Sequence, residues 1–466
     1  FVPYVIVKYF LFLVLAVAIV AAGGIGYLTV TEYRPAYAED AQRGNVLREG
    51  KLTGGQTVRV LTLNTGYGGL DAGGDFFMDG GEGVRPSDAE TVRQNMLGIE
   101  DLIRGADADF VMLQEVDTDS KRSYGYDQWR QYEFDLEDYE SRFALNYSCD
   151  YVPYPVTEPI GRVHSGVATY SRYDITAATR YRLPCPFSWP VRIANLKRCL
   201  LVTRIPIDGS EQELVLVNLH LEAYDDGEGK EVQTAMLLQI LQEEYAKGNY
   251  VIAGGDFNQS FPDGTDRYPI ASGADWTPGT LGDLPAGWQY AWDSAAPTCR
   301  LLNQPYSAGS SGTQFYVIDG FILSPNVEPV SVRTQDAEFA VTDHNPVVLE
   351  AGSSADIRHF DEKWRTCENY FGYFHSLFTI SRRRYDIIFV QRRGTPRSAQ
   401  AAGDAAEISA DKPTPTACFI WFPSCKAVAQ GTGHGPFHMK EVIVGERTAG
   451  PGTALPTLQT ADKTVK

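Results

Sequence analysis

Six short runs of β-branched and other apolar residues recur between residues 58 and 350, and each run ends in polar residues. Their length and residue types are typical of buried β-strands. The runs are VRVLTLN (58–64), DFVMLQE (109–115), ELVLVNLHL (213–221), YVIAGGDFN (250–258), FYVIDGFIL (315–323) and FAVTDHNPVVLE (339–350). Together they predict a domain built around β-sheets.

Two segments between these runs carry apolar residues at helical spacing. Residues 90–104 place theirs near one face of a helix, and residues 230–246 repeat the pattern. Strands that alternate with helices and longer loops fit an α/β or α+β domain, which we expect to end near residue 351.

The amino-terminal part of the chain contains a long apolar segment. Residues 9–31 include no Asp, Glu, Lys or Arg, and at about 1.5 Å per residue they are long enough to cross a bilayer core. Lys8 precedes the segment and Glu32 follows it. This charge difference favours an amino terminus in the cytoplasm, with the chain after the segment outside it. We therefore predict a transmembrane anchor over 1–38. The protein would then be single-pass in the cell membrane, with an extracytoplasmic catalytic domain.

A cleaved signal peptide is the alternative for this segment. Residues 36–38 read Ala-Tyr-Ala and resemble a cleavage site before Glu39, so cleavage after Ala38 would release a secreted protein. The apolar segment is longer than a cleavable one, which normally has about 7–15 residues. This length favours the uncleaved anchor, and both alternatives place the rest of the chain outside the cytoplasm.

Composition changes along the remaining chain and predicts its division. Residues 39–57 are polar with several glycines and are predicted to be a linker, and 58–351 form the predicted catalytic domain. Residues 352–466 are rich in Ala, Thr, Gly, Pro and Arg without sustained periodicity. They are predicted to be a largely disordered tail of unknown role.

Charge is distributed unevenly over the chain. The net charge is −18, yet residues 352–466 hold 15 Lys and Arg against 11 Asp and Glu, and the remaining 351 residues hold 26 against 48. So acidic a surface disfavours non-specific binding of nucleic acid, because it repels phosphate. It does not exclude phosphate chemistry at a metal site, since the metal supplies the positive charge.

The seven cysteines are too sparse for a disulfide scaffold, and no CxxC pair indicates a structural zinc site. In an exported chain Cys185 and Cys199 would close the shortest candidate loop. Buried free thiols are an equally open interpretation.

Residues able to hold a metal or a phosphate lie at or near the ends of the predicted strands. If these strands are neighbours, their ends meet at one rim. Carboxylate and amide oxygens suit Mg²⁺ or Mn²⁺, with Ca²⁺ as a further candidate. Histidine beside carboxylates suits proton transfer or contact with a phosphoryl oxygen. The residues are Asn64, Glu115, Asn218, His220, Asp256, Asn258, Asp319, Asp343 and His344.

Six motifs in a fixed order carry a family resemblance. They are L-T-L-N (61–64), D-F-V-M-L-Q-E-V-D (109–117), V-N-L-H-L (217–221), G-G-D-F-N (254–258), I-D-G-F (318–321) and T-D-H-N-P-V (342–347). Over roughly 58–351 the chain resembles the endonuclease/exonuclease/phosphatase superfamily, which includes DNase I-like nucleases, bacterial sphingomyelinases and inositol-polyphosphate phosphatases. The resemblance implies an α+β fold, a four-layer α/β/β/α sandwich of two β-sheets.

The resemblance also implies roles for individual residues. Glu115 would be the main metal ligand, with Asn64 and Asp343 beside it. Asp256 would orient or deprotonate the attacking water, and His344 would contact the phosphate and is the other candidate for the general base.

The remaining residues would surround the phosphate. Asn218 and Asn258 would hydrogen-bond it, and His220 matches a phosphate-side histidine. Asp319 would pair with His344 and fix its tautomer. Arg198 falls where many members have a basic residue before a strand.

These implications lead to a metal-dependent phosphoesterase, acting by metal-assisted attack of water on a phosphodiester or phosphomonoester. Nucleic acid, a lipid head group or a small molecule could be the substrate. A sphingomyelinase or phospholipase C-like lipid phosphodiesterase is one alternative. A catalytically silent surface-binding protein is another, but such a protein would be expected to lack Glu115, Asp256 or His344, and all three are present.

Three loops, 66–88, 118–165 and 259–313, are predicted to set specificity. Their aromatic residues suit stacking on bases, contact with lipid or ordinary packing. They are Tyr67, Tyr124, Tyr126, Trp129, Tyr151 and Tyr154.

Overall fold

The computed structural model describes residues 2–46, 50–225, 227–309 and 312–353, together with two short strands at 380–381 and 426–427. The chain divides into two units, Phe1–Ile357 and Arg358–Lys466. The tail predicted over 352–466 lies outside the described residues, apart from 352–353 and the two short strands.

In the described residues one α-helix precedes the first strand and three lie between strands. They are α1 (Val2–Val30), α2 (Ala89–Ala106), α3 (Gln128–Asp135) and α4 (Glu228–Tyr245), with 3₁₀ turns at Gly66–Gly68, Phe77–Asp79 and Val191–Ala194.

The strands of the first unit number nineteen over the described ranges, and several consist of only two or three residues. They are β1 (Ala38–Asp40), β2 (Gln42–Arg43), β3 (Leu52–Thr53), β4 (Val58–Asn64), β5 (Phe110–Asp117), β6 (Glu140–Val152), β7 (Gly161–Ser171), β8 (Ala177–Arg182), β9 (Cys199–Asp208), β10 (Glu213–His220), β11 (Tyr250–Asp256), β12 (Gln259–Ser260), β13 (Gly279–Thr280), β14 (Gln289–Ala291), β15 (Cys299–Arg300), β16 (Phe315–Tyr316), β17 (Asp319–Leu323), β18 (Val327–Thr334) and β19 (Val347–Ser353). The second unit contributes β20 (Ile380–Ser381) and β21 (Lys426–Ala427), which pair antiparallel.

Most of these strands form two mixed sheets. The first has the order β1-β8-β9-β10-β11-β17-β14, with β3 also paired to β9, and the second has the order β18-β19-β4-β5-β7-β6-β2. At the centre of each sheet two strands are parallel, β10 with β11 and β4 with β5. The carboxyl ends of each parallel pair therefore lie at the same edge of their sheet.

Three apolar clusters define four layers. Val60, Met112 and Leu349 of the second sheet pack with Leu216 and Ile252 of the first sheet, so the two sheets face each other. The outer face of the second sheet packs against α2 and α3, and the outer face of the first sheet packs against α4. The four-layer α/β/β/α sandwich is confirmed.

Side chains alternate between these layers as the pleat requires. In β10, Val215, Val217 and Leu219 pack under α4, whereas Leu214 and Leu216 pack between the sheets. Because alternate residues share a face, His220 lies on the same inner face as Leu216, and Asp256 lies on the same inner face as Ile252. Both polar residues therefore lie between the two sheets, at the ends of their strands.

The structure differs from the predicted elements in several places. The predicted helices correspond to α2 and α4, but the strands β6 to β9 and β18 were not predicted. The run 315–323 is two strands, β16 and β17, and 339–350 is a strand only from Val347. Polar or charged residues interrupt the apolar pattern of the unpredicted strands, which explains why the sequence pattern missed them.

The segment predicted as a linker, 39–57, contributes β1, β2 and β3 to the two sheets. Ala38 to Asp40 pair with Tyr181 to Thr179 of β8, and β2 pairs with β6. Edge strands of two or three residues are too short to leave a periodic pattern, so composition alone gave the appearance of a linker.

The apolar helix α1 is exposed except near its carboxyl end, where Leu28 and Thr29 are partly covered. Its segment Tyr4–Val30 has a mean hydropathy of 2.7 and none of it is buried within the protein. By length and composition it is a candidate membrane span, and a signal sequence would meet the same criteria.

The two glycines before Asp256 allow β11 to pack closely against its neighbours. A Cβ at Gly254 would lie 2.5 Å from the Phe321 ring, and a Cβ at Gly255 would lie 1.9 Å from the Leu219 carbonyl oxygen of β10. Gly255 also has φ of +150°, which side-chain-bearing residues rarely adopt. The position of Asp256 thus depends on a backbone approach that only glycine permits.

We expect Gly255→Ala to destabilise the protein by at least about 3 kcal/mol, because the new methyl group meets backbone and cannot move aside. Denaturation midpoints in detergent would measure this loss. Gly105→Ala is the matched control, since no atom lies within 4 Å of its Cβ position in α2. That change should be neutral or stabilising by up to about 1 kcal/mol; equal midpoints for both variants would contradict the packing argument.

Candidate active site

One cleft opens where the strand ends of the two sheets meet, and most of the predicted site residues line it. Asn64 ends β4, and His220 and Asp256 end the parallel strands β10 and β11. Seven of the nine predicted residues line the cleft, and they are Asn64, Glu115, His220, Asp256, Asn258, Asp343 and His344.

Glu115 reaches the cleft because β5 is irregular. One extra residue lies between Leu113 and Val116 relative to β7, and Glu115 takes the left-handed conformation with φ of 54°. A bulge of this kind changes the direction of a side chain. Gln114 therefore stays buried between the sheets while Glu115, its neighbour, lines the cleft.

Asn64 links two carboxylates across the cleft. Its Nδ2 donates to Glu115 Oε1 at 3.2 Å and to Asp256 Oδ2 at 3.1 Å, and its Oδ1 accepts from the backbone N–H of Gly66 at 3.0 Å. The resemblance implied that Asn64 helps to position a metal. In the structure it lies beside Glu115 and directs its amide nitrogen at the Glu115 and Asp256 carboxylates, while its oxygen accepts from the Gly66 N–H.

His344 is paired with Asp319 through Nδ1 and Oδ2, 2.9 Å apart, as the resemblance implied. Its Nε2 lies 3.9 Å from one oxygen each of Asp256 and Asp343. Burial lowers the pKa of His344, but the Asp319 carboxylate and other neighbours raise it further, so the pKa lies well above its usual range. The raised pKa favours the imidazolium form, and Nε2 faces the cleft carboxylates of Asp256 and Asp343.

His220 has the opposite protonation state. Burial, with the positive charges of Arg198, His344 and Arg122, holds its pKa well below the usual range. Its Nε2 lies 3.5 Å from Asp256 Oδ2 and 4.0 Å from Glu115 Oε1. A neutral imidazole can donate or accept one hydrogen bond here without adding charge.

The buried carboxyl groups are crowded. Burial and the neighbouring Glu115 raise the pKa of Asp343 to about 6, although His344 and Arg300 oppose the rise. Burial and the neighbouring Asp319 raise the pKa of Asp256. Such groups are stabilised as anions when a cation lies between them.

The donor atoms fit a hard divalent cation. Glu115, Asp343 and Asp256 offer carboxylate oxygens to one cleft, and oxygen donors are what Mg²⁺, Mn²⁺ and Ca²⁺ prefer. The described residues also form two tight groups whose ligand atoms all lie within 4.8 Å of one another. These groups are Cys299–Asp343–His344 and Asp256–Asp319–His344.

Asn218 does not line the cleft, which corrects its predicted contact with the phosphate. Its Oδ1 accepts from Gln114 Nε2 at 2.8 Å, and its Nδ2 donates to the carbonyls of Leu113 at 3.1 Å and Ala168 at 2.9 Å. Asn218 lies two residues before His220 on the inner face of β10, one step deeper into the sandwich. Its amide is used to join the two sheets.

The other predicted residues are placed as follows. Asn258 lines the cleft with φ of 50°, while its Nδ2 donates to the Leu221 carbonyl at 2.9 Å and its backbone N–H donates to Asp256 Oδ1 at 2.8 Å. Asn258 therefore holds the Asp256 carboxylate in place through its backbone N–H, and its own side chain is held by the Leu221 carbonyl. Asp319 does not line the cleft, since it lies behind His344.

Several cleft residues were missed by sequence reasoning. The Arg122 guanidinium pairs with Asp117 at 2.9 Å and lies 3.9 Å from the centre of the Tyr67 ring. Arg300 also lines the cleft and is almost fully buried. Neither arginine stands in a motif, and only the fold brings them to the strand ends. Arg198, noted from the sequence, lines the cleft and pairs with Glu222 at 3.2 Å.

The four cysteines in the described residues are free thiols, and they are Cys149, Cys185, Cys199 and Cys299. The candidate pair Cys185–Cys199 is therefore not bonded. Burial raises the pKa of Cys199 to about 11, which keeps it a thiol.

Comparison with known sequences identifies the family of the chain. The profile of the Endonuclease/Exonuclease/phosphatase family matches residues 61–406, which is most of the chain. The chain belongs to this family. It is thus a hydrolase of the phosphoesterase or nuclease type, and the match runs past residue 351, where we expected the domain to end.

Solved structures that are similar to the chain have low sequence identity to it. One is an endonuclease/exonuclease/phosphatase from Beutenbergia cavernae DSM 12333, with 19% identity over 64% of this chain and 72% of that chain and a TM-score of 0.46. Another is ANGEL2, a 2',3'-cyclic phosphatase, with 15% identity over 66% and 99% and a TM-score of 0.43. A third is D. rerio TDP2 with a single strand DNA product, with 15% identity over 64% and 99% and a TM-score of 0.40. No curated protein sequence matches the chain.

The pair of His344 and Asp319 predicts a specific pH dependence. In metal-free protein, Asp319→Asn should lower the pKa of His344, because it removes the carboxylate that stabilises the imidazolium. A raised histidine pKa adds stability that is complete below the unfolded value of about 6.5 and is lost as pH rises through the folded value. The variant should therefore be less stable than the parent at acid pH, and the difference should narrow at alkaline pH.

Ring-proton NMR titration would follow the change, with His344→Gln to assign the signal and denaturation midpoints across pH to follow stability. An unchanged His344 pKa in the Asp319→Asn variant would mean that the pair does not set its charge.

Proposed function

We propose that this protein is a divalent-metal-dependent phosphoesterase that hydrolyses a phosphodiester or phosphomonoester bond by direct attack of water. The observation that carries the proposal is a continuous set of contacts in one cleft. Glu115 contacts Asn64, Asn64 contacts Asp256, Asp256 faces His344, and His344 pairs with Asp319. Five side chains from distant parts of the sequence thus form one acid–base and cation-binding unit.

Glu115 and Asp343 are the residues we propose to hold the cation, with Asn64 positioning Glu115. When bound, a Mg²⁺ or Mn²⁺ ion supplies positive charge to the phosphoryl oxygens and to the leaving oxygen. Asn64 keeps Glu115 and Asp256 at fixed positions by donating one hydrogen bond to each.

Of the two candidates for activating water, the protonation states favour Asp256. The Asp319 carboxylate 2.9 Å from Nδ1 raises the pKa of His344 and favours the imidazolium, which already carries the proton that a general base would have to accept. Asp256 is a carboxylate whose pKa is raised by burial and by Asp319, which makes it a stronger base than an exposed aspartate. We assign Asp256 to the water, and His344 to donating a hydrogen bond to a phosphoryl oxygen.

Other residues that line the cleft supply further donors for the phosphate. His220, whose lowered pKa favours the neutral imidazole, lies within 4.0 Å of both Glu115 and Asp256. Arg122, held by Asp117 and the Tyr67 ring, adds a buried positive charge to the same cleft. Preorganised donors of this kind stabilise charge that develops on phosphoryl oxygens by several kcal/mol.

We expect Glu115→Gln, Asp256→Asn and His344→Ala each to lower turnover of bis-p-nitrophenyl phosphate by about 100-fold or more, because each change removes a charge placed at the reacting phosphate. EDTA should abolish the activity, and titration with Mg²⁺, Mn²⁺ or Ca²⁺ should restore it with the metal the site prefers. Asp101→Asn on the exposed face of α2 is the matched control and should leave turnover unchanged.

Full activity in EDTA, or in all three variants, would reject the metal-dependent mechanism. Absence of hydrolysis by the unaltered protein with every metal and with plasmid DNA, sphingomyelin and phosphoinositides would instead favour the silent surface-binding alternative. The retention of Glu115, Asp256 and His344 in one cleft argues against that alternative.

We further propose that α1 remains attached as a single membrane anchor, with the catalytic domain outside the cytoplasm. Lys8 before the apolar segment supports this orientation, and the chain that follows the segment is packed on the domain. Glu32 has a buried side chain that pairs with Arg192 at 3.2 Å and Lys197 at 3.6 Å. The site after Ala38 lies inside β1. A segment so closely packed is more consistent with a retained anchor than with a discarded leader.

The anchored protein should stay with the membrane fraction after alkaline extraction, and its intact mass should include the residues before Glu39. Added protease should digest the catalytic domain from outside intact cells while leaving a cytoplasmic marker whole. A soluble product that begins at Glu39 would establish the secreted alternative.

A further inference from the structure

The carboxyl end of α1 is docked on the catalytic domain by three successive residues. Tyr27 donates its hydroxyl hydrogen to Asp150 Oδ2 at 2.7 Å, and Trp189 Nε1 donates to Thr29 Oγ1 at 3.2 Å. Between them, Leu28 packs against the apolar cluster that contains Tyr147. The domain surface that carries these contacts therefore lies at the level of the last turn of α1.

The connection between α1 and the domain is short. Val30 ends the helix, and two residues later the buried Glu32 side chain is paired with Arg192 and Lys197. A domain held this closely cannot swing far from the end of the helix. If α1 spans a bilayer, the surface around its last turn lies at the interface between the lipid and water.

Large apolar side chains project from the domain close to this junction. Singly, exposed apolar residues are ordinary, but these belong to two segments that flank the end of α1, the β6–β7 hairpin and the turn at Val191–Ala194. Aromatic side chains are favoured at the level of lipid head groups. We call this set the apolar rim, and its members with their exposed fractions are Tyr151 (47%), Tyr154 (59%), Val156 (83%), Trp189 (54%) and Val191 (57%).

The same two segments form one wall of the catalytic cleft. Tyr147 and Ile160 of the hairpin line the cleft, as do Asn195 and Leu196 just after the turn. The rim is also tied to the cleft by a ring contact, since Tyr154 lies 5.3 Å from Phe77, and the neighbours of Phe77 on both sides line the cleft. The two segments that carry the apolar rim therefore also line the cleft.

We propose that the apolar rim rests in the interface of the bilayer that α1 spans, and that the cleft hydrolyses a phosphate ester carried by a lipid of that bilayer. The second part rests on the phosphoesterase function proposed above. Apolar contact is the suitable mode of docking, because the first 351 residues hold 48 acidic residues against 26 basic ones and cannot rely on attraction to anionic lipid.

Photo-cross-linking to lipid would test the contact between the apolar rim and the bilayer without depending on enzyme activity. A benzoylphenylalanine replacing Val156 in the full chain, reconstituted in phosphatidylcholine vesicles, should form adducts with lipid. The matched control replaces Phe134, which is 73% exposed on α3 near the opposite end of β6, and should form none. Equal adducts at both positions, or none at Val156, would overturn the docking.

Turnover on two forms of substrate tests the second part. Replacing Trp189 and Val191 by serine should reduce hydrolysis of sphingomyelin or phosphatidylinositol in phosphatidylcholine vesicles by about tenfold, because about two buried apolar side chains are lost from the interface. Hydrolysis of soluble bis-p-nitrophenyl phosphate should stay within about twofold of the unaltered protein, since neither residue lines the cleft. Phe134→Ser should change neither activity.

The outcomes separate the two proposals. Hydrolysis of the soluble ester but of neither lipid by the unaltered protein would overturn the lipid substrate and leave the phosphoesterase intact. Hydrolysis of neither form would reject the phosphoesterase, while cross-linking would still report the docking. Val156→Ser, in a loop, provides a second variant if the double replacement fails to fold, and an equal loss on both substrates by that variant would count against the rim.

Discussion

The catalytic cleft depends on keeping four carboxyl groups close together in a largely buried place. Glu115, Asp256, Asp319 and Asp343 meet at the strand ends, where mutual repulsion and the loss of water both act against their charged forms. The protein offsets part of this cost by pairing Asp319 with His344 and by amide hydrogen bonds from Asn64 to Glu115 and Asp256. Burial still raises the pKa of Asp343 to about 6. The remaining imbalance is what a bound cation would relieve under the function we propose.

Much of this arrangement could be predicted from the sequence, since the strand-end motifs carry both the fold and most of the site. The pairing of His344 with Asp319 followed from the family resemblance, and the structure places them 2.9 Å apart. Asn218 shows the limit of prediction from sequence. The alternation along the strand places Asn218 on the same face as His220, but it does not show which of the two residues reaches the cleft. Arg122 shows another limit, because its place in the cleft depends on how a loop folds back onto Tyr67.

The short strands and the contacts at the end of α1 could not be predicted from the sequence for a related reason. Strand β1 has only three residues and is defined by its partner β8, so no local pattern marks it. The role of Glu32 likewise depends on Arg192 and Lys197, which lie about 160 residues further along the chain. Interactions between distant segments determine how the catalytic domain is held at the end of its helix, and such interactions leave no periodic trace in sequence.

The bulge in β5 places Glu115 in the cleft, but the sandwich does not need this residue in order to fold. Val116 packs with the outer layer beneath α2, whereas Gln114 lies between the sheets, so Glu115 is the additional residue that the pleat itself does not need. A chain lacking this one residue would keep its alternation of inner and outer side chains and could build the same sandwich. Under the proposed function such a chain would lack its main cation ligand, so selection for stability alone would have no reason to preserve the bulge. Its persistence in a lineage would therefore record selection for chemistry.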